Sequence, residues 1–152
     1  MIIEDTRQKA QNHALKNDYF KLINVSVIRS KLPYGDYALP PRVSVDTKQN
    51  LQEIAQNMCG SAREKSRFRE ECILAKRAEA KLIILIEDGR FRGVTDLFGK
   101  TIRLSSGKVI PGEQLARAMA VMTERYGVRF EFCAPEETGK RIVELLEDGE
   151  RR

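Results

Sequence analysis

Cysteine is scarce in this chain of 152 residues, and its spacing excludes two classes of small protein. The three cysteines, Cys59, Cys72 and Cys133, are odd in number and far apart. A disulfide framework needs paired cysteines, and a structural zinc site needs cysteines or histidines in closely spaced pairs. The pattern therefore indicates buried, reduced thiols, and we expect the protein to act in the cytoplasm.

Several other signals of a specific chemistry or location are missing. No apolar run approaches the roughly 20 residues of a membrane-spanning helix, and the first residues lack the pattern of a signal peptide. There is no glycine-rich phosphate-binding loop and no Gly-x-Ser-x-Gly motif, so nucleotide hydrolysis and serine hydrolysis have no support. The single histidine, His13, is expected at the surface, where lone histidines are more often found than at a metal or a catalytic site.

The composition and net charge of the chain are those of a basic globular domain. Hydrophobic residues make up 41% of the chain and charged residues 32%, which is typical of folded rather than disordered proteins. A chain of this length forms one domain and buries roughly two-thirds of its unfolded surface. Lysine and arginine outnumber aspartate and glutamate by 27 to 22, and the resulting net charge of +5 favours polyanionic partners.

Two short extended segments carry the residues around which the rest of the chain is organised. Residues 43–48 alternate between apolar and polar side chains, so Asp46 and Lys48 project from one face of the predicted strand. Asp36 lies in the preceding extended segment. If that segment runs antiparallel beside the strand, with a turn at Pro40-Pro41, the carboxylates of Asp36 and Asp46 meet at one point.

Two carboxylates beside a lysine suit a divalent-metal phosphodiesterase. Carboxylate oxygens bind Mg²⁺ or Mn²⁺. The metal polarises the phosphate and supplies hydroxide, while the lysine stabilises charge on the phosphoryl oxygens or orients the attacking water. On the spacing alone, the commoner explanation is a polar strand face exposed to solvent, and that alternative stays open.

Further motifs occur in the order and spacing of one nuclease family. They are, in chain order, Ile2-Ile3-Glu4-Asp5-Thr6-Arg7, Gly35-Asp36-Tyr37, Asp46-Thr47-Lys48, Arg67 in a helix, Leu82-Ile83-Ile84-Leu85-Ile86-Glu87, and Pro135-Glu136-Glu137-Thr138. Together they span residues 1 to about 148. The chain resembles the nuclease domain of the XPF family of structure-specific DNA endonucleases, a branch of the restriction-endonuclease-like metal nucleases.

The resemblance implies a fold, an activity and a partner. The expected fold is α/β, with a mixed central β-sheet flanked by helices in the restriction-endonuclease-like arrangement. We expect residues 1–152 to form a single nuclease domain, without the helix-hairpin-helix domain of longer members. The implied activity is Mg²⁺- or Mn²⁺-dependent cleavage of branched or single-strand/double-strand junction DNA by a homodimer, as used in DNA repair and recombination.

The same resemblance assigns roles to individual residues. Asp36 and Asp46 are the expected metal ligands, with the backbone carbonyl of Thr47 as a further ligand. Lys48 is the charge stabiliser or water-positioning group. Asp5 is a second-tier acid near the metal, although a cap on the following helix is an equally good interpretation of an acid at that place.

A predicted helix over residues 61–80 supplies the best candidates for DNA contacts. Its first half carries four basic residues, Arg63, Lys65, Arg67 and Arg69. An ordinary solvated helix face, paired at i,i+4 with Glu70 and Glu71, is the alternative. By resemblance, Arg67 lies near the scissile phosphate or the acids, and Arg7 has a similar role.

Four positions depart from the family pattern. Thr47 replaces an arginine, Asp46 a longer glutamate, and Gln8 and Gln52 replace acids, with Glu53 beside the latter. The substitutions at Thr47 and Gln52 favour a catalytically inactive DNA-binding or dimerisation scaffold of the same fold. The two retained acids and the lysine oppose it.

Periodicity and turn signals predict the remaining elements. Strands are predicted at residues 2–6, 22–29, 43–48, 82–87, 101–104, 109–110 and 128–133, and helices at 7–16, 50–58, 61–80, 111–126 and 136–147.

Overall fold

The computed structural model describes residues 2–9, 12–23, 25, 27–29, 32, 34–39 and 42–151. The strands are β1 (Ile2–Glu4), β2 (Val27–Arg29), β3 (Tyr37–Leu39), β4 (Val43–Lys48), β5 (Lys81–Ile86), β6 (Thr101–Arg103), β7 (Val109–Pro111) and β8 (Arg129–Phe132). The helices are α1 (Ala14–Leu22), α2 (Leu51–Cys59), α3 (Ala62–Arg77), α4 (Gly112–Tyr126) and α5 (Thr138–Arg151). Within these residues, none of the helices combines the length and the apolar character needed to cross a bilayer.

Six of the strands form one mixed sheet, in the order β2-β1-β3-β4-β5-β8. β3 runs antiparallel to both of its neighbours, and the other neighbouring pairs are parallel. β6 and β7 form a separate antiparallel hairpin, as predicted. β5 lies between two partners with five of its six residues buried, which its continuous apolar sequence explains. The predicted α/β fold with a mixed central sheet is confirmed.

Helices cover both faces of this sheet. α2, α3 and α4 share a core with Leu82, Ile84 and Ile86 of β5, on what we call the α3 face. α1 and α5 share the other core with Ile83 and Leu85, on the α1 face. Because side chains alternate along a strand, β5 contributes to both cores.

β4 shows the predicted alternation but not a solvated face. Val43 and Val45 lie in the core of the α1 face, while Ser44 and Asp46 point to the α3 face. All four residues are buried, because α2 and α3 cover the second side as well. The exposed-face alternative for Asp46 is therefore wrong.

The boundaries near the N-terminus differ most from prediction. α1 begins at Ala14 rather than Arg7, and β2 begins at Val27 rather than Leu22. Residues 5–9, in the segment between β1 and α1, form a turn instead of a helix. The guanidinium of Arg29 on β2 donates to two backbone carbonyls of that segment, which are then unavailable for helical hydrogen bonds.

Other boundaries lie within four residues of the prediction. α3 ends at Arg77, three residues early, and α5 runs from Thr138 to Arg151 after a short 3₁₀ turn at Pro135–Glu137. The predicted turn at Pro40-Pro41 lies outside the described residues.

Candidate functional site

The backbone that enters β3 adopts a conformation suited to glycine. Gly35 has φ +70°, and a Cβ at this position would lie 2.0 Å from the hydroxyl oxygen of Ser44. The next residue, Asp36, donates its N–H to the carbonyl of Val45 at 2.7 Å, and its own carbonyl accepts from the N–H of Asp5 at 2.6 Å. Asp36 is thereby fixed between β1 and β4, with its side chain towards the α3 face.

Asp36 and Asp46 meet, as their spacing predicts. The antiparallel register pairs Tyr37 with Val45 and so places Asp36 opposite Asp46. Thr47 donates its N–H and its hydroxyl to Oδ2 of Asp36, at 2.7 and 3.0 Å. Burial, and then the neighbouring carboxylate of Asp46, raise the pKa of Asp36 well above its ordinary value. Two neighbouring carboxylates, of which Asp46 is buried and Asp36 half-buried, require a shared proton or a cation.

Lys48 lies on the same face, two residues further along β4. Its Nζ is 3.0 Å from Oδ2 of Asp46, in an ion pair whose geometry does not make a hydrogen bond. That oxygen belongs to a residue only 6% exposed and finds no hydrogen-bond donor among the described residues. Burial by itself lowers the pKa of Lys48, but the carboxylates of Asp46 and Glu71 outweigh it and raise the pKa. Lys48 is therefore held as a charged ammonium.

Glu71 on α3 is a third acid of this centre, which the sequence analysis did not select. Its Oε1 accepts the N–H of Gly35 at 2.9 Å. Burial, and then Asp46, raise the pKa of the Glu71 carboxyl to about 7. The available signal was its position four residues after Arg67, because residues at i and i+4 share one side of a helix.

An open cleft of about 730 Å³ contains the centre. β4, the first turn of α2, the middle of α3 and the segment after β1 form its walls. The residues considered above that line it are Asp5, Arg7, Gln8, His13, Gly35, Asp36, Asp46, Thr47, Lys48, Glu53, Arg67, Glu70 and Glu71. The cleft thus brings together the predicted acids, the lysine and two of the predicted arginines.

The basic half of α3 does not act as one group. Arg67 lines the cleft, whereas Lys65 and Arg69 line a separate groove between α3 and α4, beside Tyr126. Arg63 is exposed one turn before Arg67 and lines neither. The reason is geometric, since alternate residues of a helix point in different directions. None of these four cations is within 4 Å of a carboxylate among the described residues, so the predicted i,i+4 pairs are absent there.

Asp5 does not cap a helix. α1 begins nine residues later with His13 at its N-cap, so that interpretation is wrong. The buried carboxylate of Asp5 instead accepts from Nε of Arg7 at 2.6 Å and from the N–H of Leu32 at 3.0 Å. With its own N–H bonded to the carbonyl of Asp36, Asp5 ties the end of β1 to the centre.

The departures from the family pattern fall in different places. The side-chain amide of Gln52 donates to the carbonyl of Arg103 on β6, so it points away from the cleft. Its neighbour Glu53 lines the cleft, and Oε2 of Glu53 accepts the N–H of Gln49 at 2.7 Å. An acid is thus present at this wall of the cleft, one residue later in the chain.

His13 is buried rather than at the surface, so its predicted position is wrong. It is 9% exposed, and its Nδ1 lies 3.0 Å from Nζ of Lys16, a residue only 4% exposed. Lys16 in turn forms an ion pair with Glu87, which follows β5. Burial, and then the charge of Lys16, lower the pKa of His13 to about 4. At neutral pH His13 is therefore an uncharged imidazole.

The chemistry of the centre suits a hard divalent cation. The described residues contain no group of three or more His, Cys, Asp or Glu side chains arranged as a ready cation site. Mg²⁺ does not require one, because it is usually held by one or two carboxylates and keeps several waters. Asp36 and Asp46 supply two carboxylates, and Oδ2 of Asp46 is buried without a hydrogen-bond donor. These two side chains fit such an ion.

Comparison with known proteins places the chain in a family. The ERCC4 domain model matches residues 4–145. XPF from Aeropyrum pernix superposes with a TM-score of 0.67 at 19% identity, covering 97% of this chain and 65% of that one. XPF from Aeropyrum pernix in complex with DNA gives a TM-score of 0.65 at 20% identity, covering 99% and 64%. The chain therefore spans slightly less than two-thirds of these relatives.

No curated protein matches the sequence. At 19% and 20% identity the two superpositions establish the restriction-endonuclease-like fold, and the domain match establishes descent. The chain belongs to the ERCC4-domain family, as an XPF-type nuclease domain within a family of DNA endonucleases.

Proposed function

We propose that the chain is a Mg²⁺- or Mn²⁺-dependent DNA endonuclease that cleaves phosphodiester bonds at branched DNA or at single-strand/double-strand junctions. The convergence of Asp36, Asp46 and Lys48 in an open cleft carries this proposal. The match to the ERCC4 domain over residues 4–145 supports it. Cleavage by this chain, its metal and its junction preference are the parts that need experiment.

The contacts of each residue suggest its role. Asp36 and Asp46 would hold the divalent cation, which when bound supplies Lewis acidity at the phosphate and lowers the pKa of a coordinated water. Lys48, charged and 3.0 Å from Asp46, would stabilise charge on the phosphoryl oxygens or orient the attacking water. Thr47 holds Asp36 through two hydrogen bonds, and its backbone carbonyl is a proposed further ligand. Asp5 is a proposed second-tier acid.

DNA is the proposed substrate, with the phosphate backbone along the cleft. Arg67 and Arg7 line the cleft and are the arginines that can reach a phosphate next to the acids. One of the matched structures is described as a complex with DNA, which supports DNA as the partner. Branched or junction DNA is proposed from the family resemblance.

A homodimer is part of the same proposal. The exposed side of α4, where Val121 is 41% exposed, or the last helix would form the contact. The cytoplasm remains the proposed compartment, since the three cysteines are buried and unpaired.

Cleavage of labelled splayed-arm, flap and four-way DNA in Mg²⁺ and in Mn²⁺ tests the proposal. We expect the wild type to cut at least one of these substrates. Asp46→Asn and Lys48→Met should each lower the rate by roughly 10²- to 10³-fold or more, because each removes a charged group that acts on the transition state. Asp18→Asn neutralises an exposed acid on α1, outside the cleft, and should leave the rate unchanged.

Two results would contradict the proposal in different ways. A wild type that binds these DNAs but cuts none with either metal would be an inactive DNA-binding scaffold. Cleavage that survives both substitutions would show that the reaction occurs elsewhere on the chain.

A further inference from the structure

The acids of the centre outnumber its cations. The carboxyl groups of Asp36, Asp46 and Glu71 line one cleft together with Lys48. Lys48 is the one ammonium paired with them in the described part of the chain. When all three acids are ionised, two negative charges have no partner. Two is the charge that a single divalent cation balances.

Burial makes this excess costly. Uncompensated charges in a low-dielectric site destabilise the fold, so they are neutralised by protons, counter-charges or metals. Oδ2 of Asp46 is buried and makes no hydrogen bond, and its charged neighbour is Nζ of Lys48 at 3.0 Å. A buried oxygen that lacks a hydrogen bond can accept a further ligand.

Glu71 is fixed in a way that leaves one oxygen for this role. Its Oε1 is occupied by the N–H of Gly35 at 2.9 Å, which also anchors the turn that presents Asp36. Glu71 lines the same cleft as Asp46. Mg²⁺ and Mn²⁺ retain several waters, so a carboxylate at this place meets the hydration shell of an ion held by the other two acids.

We propose that Glu71 is a third acidic residue of the cation site, which binds a water ligand of the metal and supplies the second uncompensated negative charge. The proposal rests on the metal-dependent function proposed above. It assigns to α3 a residue that sets the affinity of the site for divalent ions. Outer-shell groups that orient metal-bound ligands commonly change metal affinity by 10- to 100-fold when substituted.

Glu71→Gln separates this role from a structural one. The amide oxygen of glutamine still accepts the N–H of Gly35, while the negative charge is lost. Glu70→Gln is the matched control, because it makes the same change at the adjacent residue, which is exposed at the edge of the cleft. Asp46→Asn removes a direct ligand and provides the lower limit of binding.

Mn²⁺ binding is measured without DNA, by isothermal calorimetry and by the loss of the free-ion electron paramagnetic resonance signal. We expect one ion per chain in the wild type, affinity about 10- to 100-fold weaker in Glu71→Gln, a change below about twofold in Glu70→Gln, and no site in Asp46→Asn. In EDTA, Glu71→Gln should unfold at the same temperature as the wild type or higher, since a repulsive charge is gone.

The proposal is overturned if Glu71→Gln binds Mn²⁺ as tightly as the wild type while Asp46→Asn does not bind. It is also overturned if the weaker binding is accompanied by a lower unfolding temperature in EDTA, which would indicate a structural role. If the wild type takes up no Mn²⁺, or if Asp46→Asn binds as well as the wild type, the metal centre of the proposed function fails, and this inference fails with it.

Discussion

The two faces of the central sheet treat buried charge differently. On the α1 face each acid has its own cation, because Glu87 pairs with Lys16 and Glu4 pairs with Arg29. On the α3 face, three acids share Lys48. Both sets lie at the same end of neighbouring strands.

This difference in charge pairing distinguishes a structural face of the sheet from a functional one. A buried ion pair contributes little net stability, but it prevents the large penalty of an isolated buried charge. The pairs on the α1 face avoid that penalty within the chain. The cluster around Lys48 on the α3 face leaves it in place, which a protein tolerates where a ligand restores the balance. We therefore interpret the α1 face as part of the scaffold and the α3 face as the metal-dependent centre.

Removing Lys16 should cause the largest loss of stability on the α1 face. Lys16→Met leaves Glu87 buried without its cation, and we expect a loss of about 3–5 kcal/mol in the free energy of unfolding. Urea denaturation at pH 7 measures it. The double variant Lys16→Met/Glu87→Gln should recover much of the loss, because no unpaired charge remains.

An exposed pair supplies the control for that experiment. Lys140 on α5 is 65% exposed and lies 3.9 Å from Glu144 at i,i+4. Lys140→Met should cost no more than about 0.5 kcal/mol. Equal losses from Lys16→Met and Lys140→Met would remove the basis for treating the α1 face as a balanced buried network.

His13 gives the α1 face a pH dependence. Its pKa is lowered to about 4 in the fold and is about 6.5 in the unfolded chain, so the unfolded state binds the proton first. The stability that depends on neutral His13 is complete above about pH 6.5 and is lost as the pH falls towards 4. His13→Gln should remove a slope worth up to about 3 kcal/mol across this window.

Denaturation of the wild type and of His13→Gln at pH 4.5, 5.5 and 7 measures this slope as a difference. The difference matters because the raised pKa of Asp36 and of Glu71 acts in the opposite direction and is common to both proteins. Parallel pH profiles for the two proteins would contradict a buried, neutral imidazole.

The smallest expected effect concerns which arginine of α3 contacts DNA. Arg67→Ala should lower the slope of log affinity against log salt by about 1 for DNA binding, since one phosphate contact is lost. Arg69→Ala should leave the slope unchanged, because Arg69 lines the groove between α3 and α4. Affinity titrations at several salt concentrations measure both, and equal changes would mean that DNA also follows that groove.

The core of this centre was predictable from sequence because it depends on local geometry. The alternation of β4 places Asp46 beside Lys48, and an antiparallel β3 brings in Asp36. Glu71 was not predictable in the same way, because its place depends on how α3 is rotated against the sheet. Periodicity identifies a helix but does not fix that rotation.

The burial of charged and titratable side chains could not be predicted from the sequence either. Lysine is almost never fully buried unless it is paired, so nothing in the sequence marked Lys16 as an interior residue. His13 was placed at the surface for a similar reason, and its burial follows from its contact with Lys16. The burial of Lys16 depends on a partner that is distant in the chain, Glu87.

The most direct test compares one acid from each face. The free energy of unfolding is measured for the wild type, Asp46→Asn and Glu87→Gln, each in EDTA and in Mg²⁺. In EDTA we expect Glu87→Gln to lose about 3–5 kcal/mol, because Lys16 is left unpaired, and Asp46→Asn to be unchanged or more stable by about 0.5–2 kcal/mol. Mg²⁺ should stabilise the wild type and Glu87→Gln but not Asp46→Asn. If Asp46→Asn loses as much stability in EDTA as Glu87→Gln, and the wild type gains nothing from Mg²⁺, Asp46 is a structural residue and the metal centre is wrong.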